Sequence, residues 1–283
     1  MSQAWRLGLC LLLACGGEGQ PVTTTITVTT TPASTTVTDE SDYLRLVDSV
    51  TELPVTVYGP ETVGPYPIVV LFHGGGWFGG SPISTAPLAE YLAAQEVVVF
   101  NSTYRTQTGG FPESFDDVAC AIRYARANAA TFTNADGPLV IAGHSAGAHL
   151  ASVVALAGDE FGDTCPVAGS ATVDRFVGMA GPYDPTLYQQ VLPAFFGTRF
   201  ENDPQPWEAG SAYSYLGGNS GIEILLMHGE ADELVPISSS RLFADALAEA
   251  GYAVELAEVS GAPHQALRDP NVVGATLVGF LSQ

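Results

Sequence analysis

The chain has 283 residues with 9 basic and 30 acidic side chains, a formal charge of −21, and every basic residue is an arginine. Phosphate recognition rests on clustered cations, so nucleic acid is excluded as a partner, and anionic membrane surfaces are disfavoured on the same ground. With 46% hydrophobic residues, 10% aromatics and 31 glycines, the chain can bury a sizeable core, which excludes global disorder.

The first stretch reads as a leader. Met1 to Arg6 gives a short charged start and Leu7 to Ala14 an apolar run too short to cross a bilayer, which needs about 20 residues. Residues 1–14 are therefore expected to be a signal peptide. Leu12-Leu13-Ala14-Cys15 resembles a lipobox, so Cys15 is the expected site of a lipid, and that anchor is the expected link to a membrane; an ordinary signal peptide cut nearby is the alternative. Ten of the 21 residues Pro21 to Ser41 are threonine, with no apolar periodicity. Residues 15–42 are accordingly expected to be a Thr-rich, unstructured tether, with a strand over Thr24 to Thr31 as the rival reading. If Cys10 leaves with the leader and Cys15 carries lipid, Cys120 and Cys165 remain to form a disulfide in an oxidising compartment or to stay as two buried thiols. Such a bridge is worth roughly 4 kcal/mol in the chain-entropy account.

Residues 43–283 alternate short apolar runs with longer helical patterns and read as one domain. Leu44 to Val50 and Pro54 to Tyr58 look like an opening pair of strands. Ile68 to Phe72, Val97 to Phe100, Leu139 to Ala142, Phe176 to Met179, Ile224 to Met227 and Val254 to Glu258 have the uniform apolarity of strands buried on both faces. Helices are predicted over Ala86 to Gln95, Glu113 to Asn128, Ala146 to Ala157, Ser238 to Ala250 and Val272 to Leu281. The predicted fold class is α/β, a mostly parallel sheet flanked by helices, with ligands at the carboxyl ends of the strands.

Those ends carry the chemistry. After the third strand comes His73-Gly74-Gly75-Gly76-Trp77, and after the fifth comes Gly143-His144-Ser145-Ala146-Gly147, which runs into a helix. The second matches GxSxG, a turn so sharp that its flanks tolerate only small residues, and it would lift the Ser145 hydroxyl to a helix start. A serine hydroxyl needs a base, and the base an orienting acid. Ile224 to Met227 leads into His228-Gly229-Glu230-Ala231-Asp232-Glu233-Leu234-Val235-Pro236, and the last long strand leads to His264. Asp232 is preferred as the acid over its neighbours Glu230 and Glu233, and His264 is the expected base. The glycine triplet suits an oxyanion hole, since glycine lets backbone N–H groups approach the reacting carbon; Gly75, Gly76 and Ala146 are the expected donors.

At this point the sequence resembles the α/β-hydrolase family, and within it the HGGG-containing esterases similar to hormone-sensitive-lipase-type carboxylesterases, feruloyl esterases and kynurenine formamidases. The resemblance runs from about Pro67 to His264 through HGGGW, GHSAGAHLA, HGEADELVP and the late histidine. It implies Ser145 as nucleophile, His264 as acid and base and Asp232 as orienter, with no cofactor and no metal. About 30 residues separate the tether from His73, too few for a large N-terminal helical cap, so a small or absent cap is expected. The segment Pro182 to Gly218 is short and aromatic, with Tyr183, Tyr188, Phe195, Phe196, Trp207, Tyr213 and Tyr215, and it is expected to form the acyl or alcohol wall together with Trp77; Tyr183, Phe195 and Phe196 are the residues of it singled out for substrate binding.

The reading is thus a serine carboxylic ester hydrolase acting on small, soluble or aryl esters, including acyl groups linked to a polymer such as a polysaccharide. An aryl formamidase with the same triad and a non-catalytic binding module are the alternatives. Other motifs fail on context. Gly74 to Gly79 matches GxGxxG but holds Trp77 and Phe78, and the next strand ends without an acid for a ribose. His144 and His149 would stand about 140° apart around a helix and could not share a metal; with His73 they read as wall and packing residues. Arg105 is expected to make a structural ion pair near Glu113 or Asp116.

Overall fold

The computed structural model describes residues 35–37, 43–46 and 51–283, apart from 61, 63, 107, 109 and 134. The expected leader, Cys15, the tether to residue 34 and residues 47–50 of the first expected strand lie outside the described residues. Thr35–Val37, at the far end of the stretch expected to be tether, is instead a strand, β1, paired antiparallel with β3 (Glu52–Pro60). The β-branched run there matches an open edge: β2 (Tyr43–Leu46) pairs with the first half of β3 and β1 with the second, while β5 (Val98–Ser102) takes the other edge.

β4 (Ile68–Phe72), β5, β6 (Leu139–His144), β7 (Arg175–Met179), β8 (Glu223–Gly229) and β9 (Ala253–Val259) continue the sheet, all parallel, in the order β3-β5-β4-β6-β7-β8-β9. Alternate residues feed two cores. Val70, Phe72, Phe100, Ile141, Phe176 and Leu226 face one layer, which holds α2 (Glu113–Thr133), α3 (Ala146–Ala157) and α6 (Ser238–Glu249). Val69, Leu71, Val140, Val177 and Leu225 face the other, with α1 (Ala86–Ala93) and α7 (Pro270–Leu281). Strands buried on both faces cannot alternate polar with apolar, which is why they are uniformly apolar in sequence. β9 departs from that expectation: it ends the sheet, carries Glu255 and Glu258, and has no fully buried residue. α2 runs past the expected Asn128 to Thr133, its first turn carrying Glu113 and Asp116 where the helix dipole favours them.

This order places the site. From β4 the chain moves outward to β5 and then returns to β6 on β4's other side, so the carboxyl ends of β4 and β6 flank a topological switch point. Phe72 pairs with Gly143 across that junction, which sets the glycine loop beside the Ser145 turn. On the next strands Gly229 pairs with Val259, which brings the loops after β8 and β9 together in the same way. Between β7 and β8 the chain forms a 3-10 turn at Pro185–Tyr188 and two short helices, α4 (Pro193–Phe196) and α5 (Gln205–Ala209).

Candidate active site

Ser145 follows β6 directly and has φ 55° and ψ −121°, a backbone region that costs a non-glycine residue about 1–3 kcal/mol. The turn is held by its surroundings: Ser145 N–H donates to Met179 O at 2.8 Å, and the Ala148 and His149 N–H groups fold back to Ser145 O at 2.9 and 3.1 Å. A Cβ on Gly143 would stand 2.4 Å from the Gly147 backbone, and one on Gly147 would stand 2.4 Å from His73 O. The two glycines of GxSxG are therefore demanded by backbone crossing backbone. Ala146 begins α3, and at that position its N–H has no acceptor within the helix.

The glycine loop is fixed from behind. His73 Nδ1–H donates to Gly74 O at 2.7 Å, Thr103 Oγ1 donates to His73 Nε2 at 2.8 Å, and the ring stacks on Tyr104 at 4.7 Å. Burial lowers the His73 pKa, which suits this neutral tautomer. Gly75 and Gly76 both have positive φ, 142° and 61°. Trp77 is also at positive φ, 67°, and its indole N–H donates to His149 Nδ1 at 3.0 Å while His149 Nε2–H donates to Gly210 O at 2.8 Å. Burial holds the fully buried His149 neutral, with a pKa down at about 4. One imidazole thus ties the glycine loop to α3 and to the segment after α5.

Asp232 lies on the turn after β8 and His264 opens a 3-10 turn, His264–Arg268, after β9. His264 Nδ1–H donates to Asp232 Oδ2 at 2.6 Å. The other carboxylate oxygen accepts the Leu234 and Val235 N–H groups, both at 2.9 Å. Burial alone would raise the Asp232 pKa, but bonds from Val235, His264 and Leu234 outweigh it and hold the carboxyl below its ordinary value. His228, the first residue of the HGEADELVP motif, adds a fourth contact. Its Nε2–H is shared between Val235 O at 2.9 Å and Asp232 Oδ2 at 3.2 Å, and Ser240 Oγ donates to its Nδ1 at 2.7 Å. His144 Nε2–H donates to His264 O at 3.0 Å, and burial brings the His144 pKa down to about 4.

The family model for BD-FAE matches residues 55–247. The chain belongs to the BD-FAE family. Esterase LipQ of Mycobacterium tuberculosis is 29% identical over 213 residues, which make up 70% of this chain and 50% of LipQ. Carboxylesterase NlhH of the same organism is 33% identical over 111 residues, 38% of this chain and 35% of NlhH. The BD-FAE chain therefore spans about half the length of LipQ. Among solved structures, a truncated carbohydrate esterase from gut microbiota has a TM-score of 0.73 at 20% identity, covering 85% of this chain and 94% of that one. Propionate-bound esterase 2 of Thermogutta terrifontis has a TM-score of 0.67 at 25% identity, covering 86% and 92%. The architecture is the α/β-hydrolase fold.

Ser145, His264, Gly75 and Gly76 of this BD-FAE chain line one cleft of about 600 Å³. Among the described residues no hydrogen bond joins the Ser145 hydroxyl to His264; in serine–histidine pairs this bond commonly tightens with substrate in place. Trp77 lines the cleft, as do Tyr188 and Val191. Tyr183, Phe195 and Phe196, expected in the wall, do not line the cleft. Tyr183 is fully buried and stacks flat on Phe243 of α6 at 4.3 Å. Phe195 and Phe196 of α4 turn into the core, Phe195 packing against Trp77 and Phe115 and Phe196 packing at a tilt on Trp207. The short helix faces its apolar side inward, which leaves the preceding turn to supply the wall. Arg105 pairs with Asp117, one residue beyond the expected neighbourhood, with its Nε–H and Nη2–H groups on the carboxylate at 2.8 to 3.1 Å. Cys120 and Cys165 are joined, with Cα atoms 5.5 Å apart.

Proposed function

We propose that this chain is a serine carboxylic ester hydrolase acting through an acyl-enzyme on small, soluble or aryl esters. The observation that carries the reading is one cleft holding Ser145 on its strained turn, the glycine loop, and a histidine whose far nitrogen is bonded to a buried carboxylate. Ser145 Oγ attacks the ester carbonyl as His264 Nε2 takes its proton. Asp232 keeps the imidazole in the required tautomer and stabilises its cation. Gly75, Gly76 and Ala146 N–H groups receive the charge developing on the carbonyl oxygen. Collapse expels the alkoxide, which takes its proton from His264, and water repeats the two steps to free the acid. The esterase names of the relatives support this reading, and propionate bound in the Thermogutta esterase supports a small acyl group.

The test is initial-rate hydrolysis of p-nitrophenyl esters from acetate to palmitate, with the chain beside Ser145→Ala. Activity should peak at short chains and fall at least about 10³-fold in the variant. Turnover of an aryl formamide with no ester hydrolysed would overturn the reading in favour of an amidase; no turnover of either would leave the binding module.

We also propose export, with lipid on Cys15. The Cys120–Cys165 disulfide supports an oxidising compartment. An intact mass of the mature protein beginning at an unmodified residue would sink the lipid assignment.

A further inference from the structure

The cleft lining is of two chemical kinds. Trp77, Tyr188, Val191 and Leu234 are aromatic and aliphatic, with Val191 and Leu234 largely exposed. Gln265 and Arg268 are polar, and both lie on the 3-10 turn that opens with His264.

Among the arginines whose side chains are described, Arg268 stands apart. Arg105, Arg175, Arg199 and Arg241 pair with carboxylates, and Arg123 and Arg126 donate to backbone carbonyls. Arg268 is partly buried and has no hydrogen-bond or ion-pair partner among the described residues. In a chain with 30 acidic and 9 basic side chains, an arginine that lines the cleft and meets no carboxylate keeps its planar fork of donors for what enters. A net charge of −21 repels anions from the molecule as a whole, so an anionic substrate needs such a local cation.

The position of Arg268 says which end of the substrate it meets. His264 hands its proton to the departing alkoxide, so the alcohol leaves past His264, and Arg268 closes the same turn. The geometry points to Arg268 as the anchor for a carboxylate on the alcohol side of the ester. The substrate class is then an ester whose apolar acyl group rests on Trp77 and Tyr188 and whose alcohol is a hydroxy acid. This rests on the ester-hydrolase reading above.

The experiment compares 4-butanoyloxybenzoate with 4-butanoyloxybenzamide, which share acyl group and ring and differ in the carboxylate. The readout is the ratio of kcat/KM for the anionic ester to that for the neutral one, measured on each protein, so a loss of folded material cancels. Arg268→Gln should lower the ratio at least about ten-fold, and Arg268→Lys should retain part of it, because it keeps the charge and loses the bidentate fork. A ratio within about two-fold of wild type in Arg268→Gln would overturn the assignment. An equal loss on the hemisuccinate of 4-hydroxybenzamide, whose carboxylate lies on the acyl side, would overturn the placement. Labelling with a fluorophosphonate separates the two readings: a labelled Ser145 with an unchanged ratio defeats only the anion anchor, whereas no label and no turnover defeats the hydrolase reading itself.

Discussion

The two halves of the cleft are held by different forces. Around Ser145 and the glycine loop, main chain crosses main chain: a Cβ on Gly75 would stand 2.0 Å from Gly79 O, and one on Gly147 would stand 2.4 Å from His73 O. Around Asp232 and His264, position comes from hydrogen bonds between polar side chains and backbone N–H groups on two adjoining loops. The first arrangement is steric and has almost no tolerance. The second is electrostatic, so a substitution of the same shape can leave the geometry in place while removing the chemistry.

Asp232→Asn is the sharpest way to test that difference. The amide keeps an oxygen for the Leu234 and Val235 N–H groups, so the fold should survive with a near-native melting temperature. Its NH₂ group would face His264 Nδ1 and favour the wrong tautomer, and kcat should fall about 10³- to 10⁴-fold. Circular dichroism melting beside ester kinetics reads both. Unfolding of the variant would show that the polar half is also a structural linchpin and would break the comparison.

The steric half was the more legible from sequence, because close packing of main chain leaves a record of small residues at fixed spacing. Gly143, Gly147 and the run Gly74 to Gly76 are such a record. For Asp232 and His264 the order along the chain and the position after apolar runs sufficed. The aromatic wall did not follow, since Tyr183 and Tyr188 have the same composition and neighbourhood. Only the inward turn of the segment decides that Tyr183 stacks on Phe243 while Tyr188 faces the cleft. Arg268 is unmarked in sequence for the same reason: what marks it is the lack of a partner among the described residues, a property of the folded surroundings. Thr35–Val37 reads as low-complexity tether until the open edge of β3 is known. His228 could have been found, as the residue that opens the HGEADELVP motif.

A smaller effect sharpens the comparison from the steric side, where the titratable His149 bridges the glycine loop, α3 and Gly210. Its bonds require a neutral ring, and burial holds its pKa at about 4, as it does for His144. In the unfolded chain both histidines titrate near 6.5, so between about pH 6.5 and pH 4 the unfolded state binds the extra protons. Stability is therefore complete above that window, falls as pH drops through it, and levels off below. Each histidine contributes a loss of about 2–3 kcal/mol by pH 4.5. Urea unfolding at pH 7 and pH 4.5 should show His149→Gln starting less stable, since Trp77 and Gly210 lose a fitted partner, yet losing less on acidification than wild type. If both proteins lose the same amount, His149 is protonated in the folded state, and the glycine loop is held by sterics without the imidazole bridge.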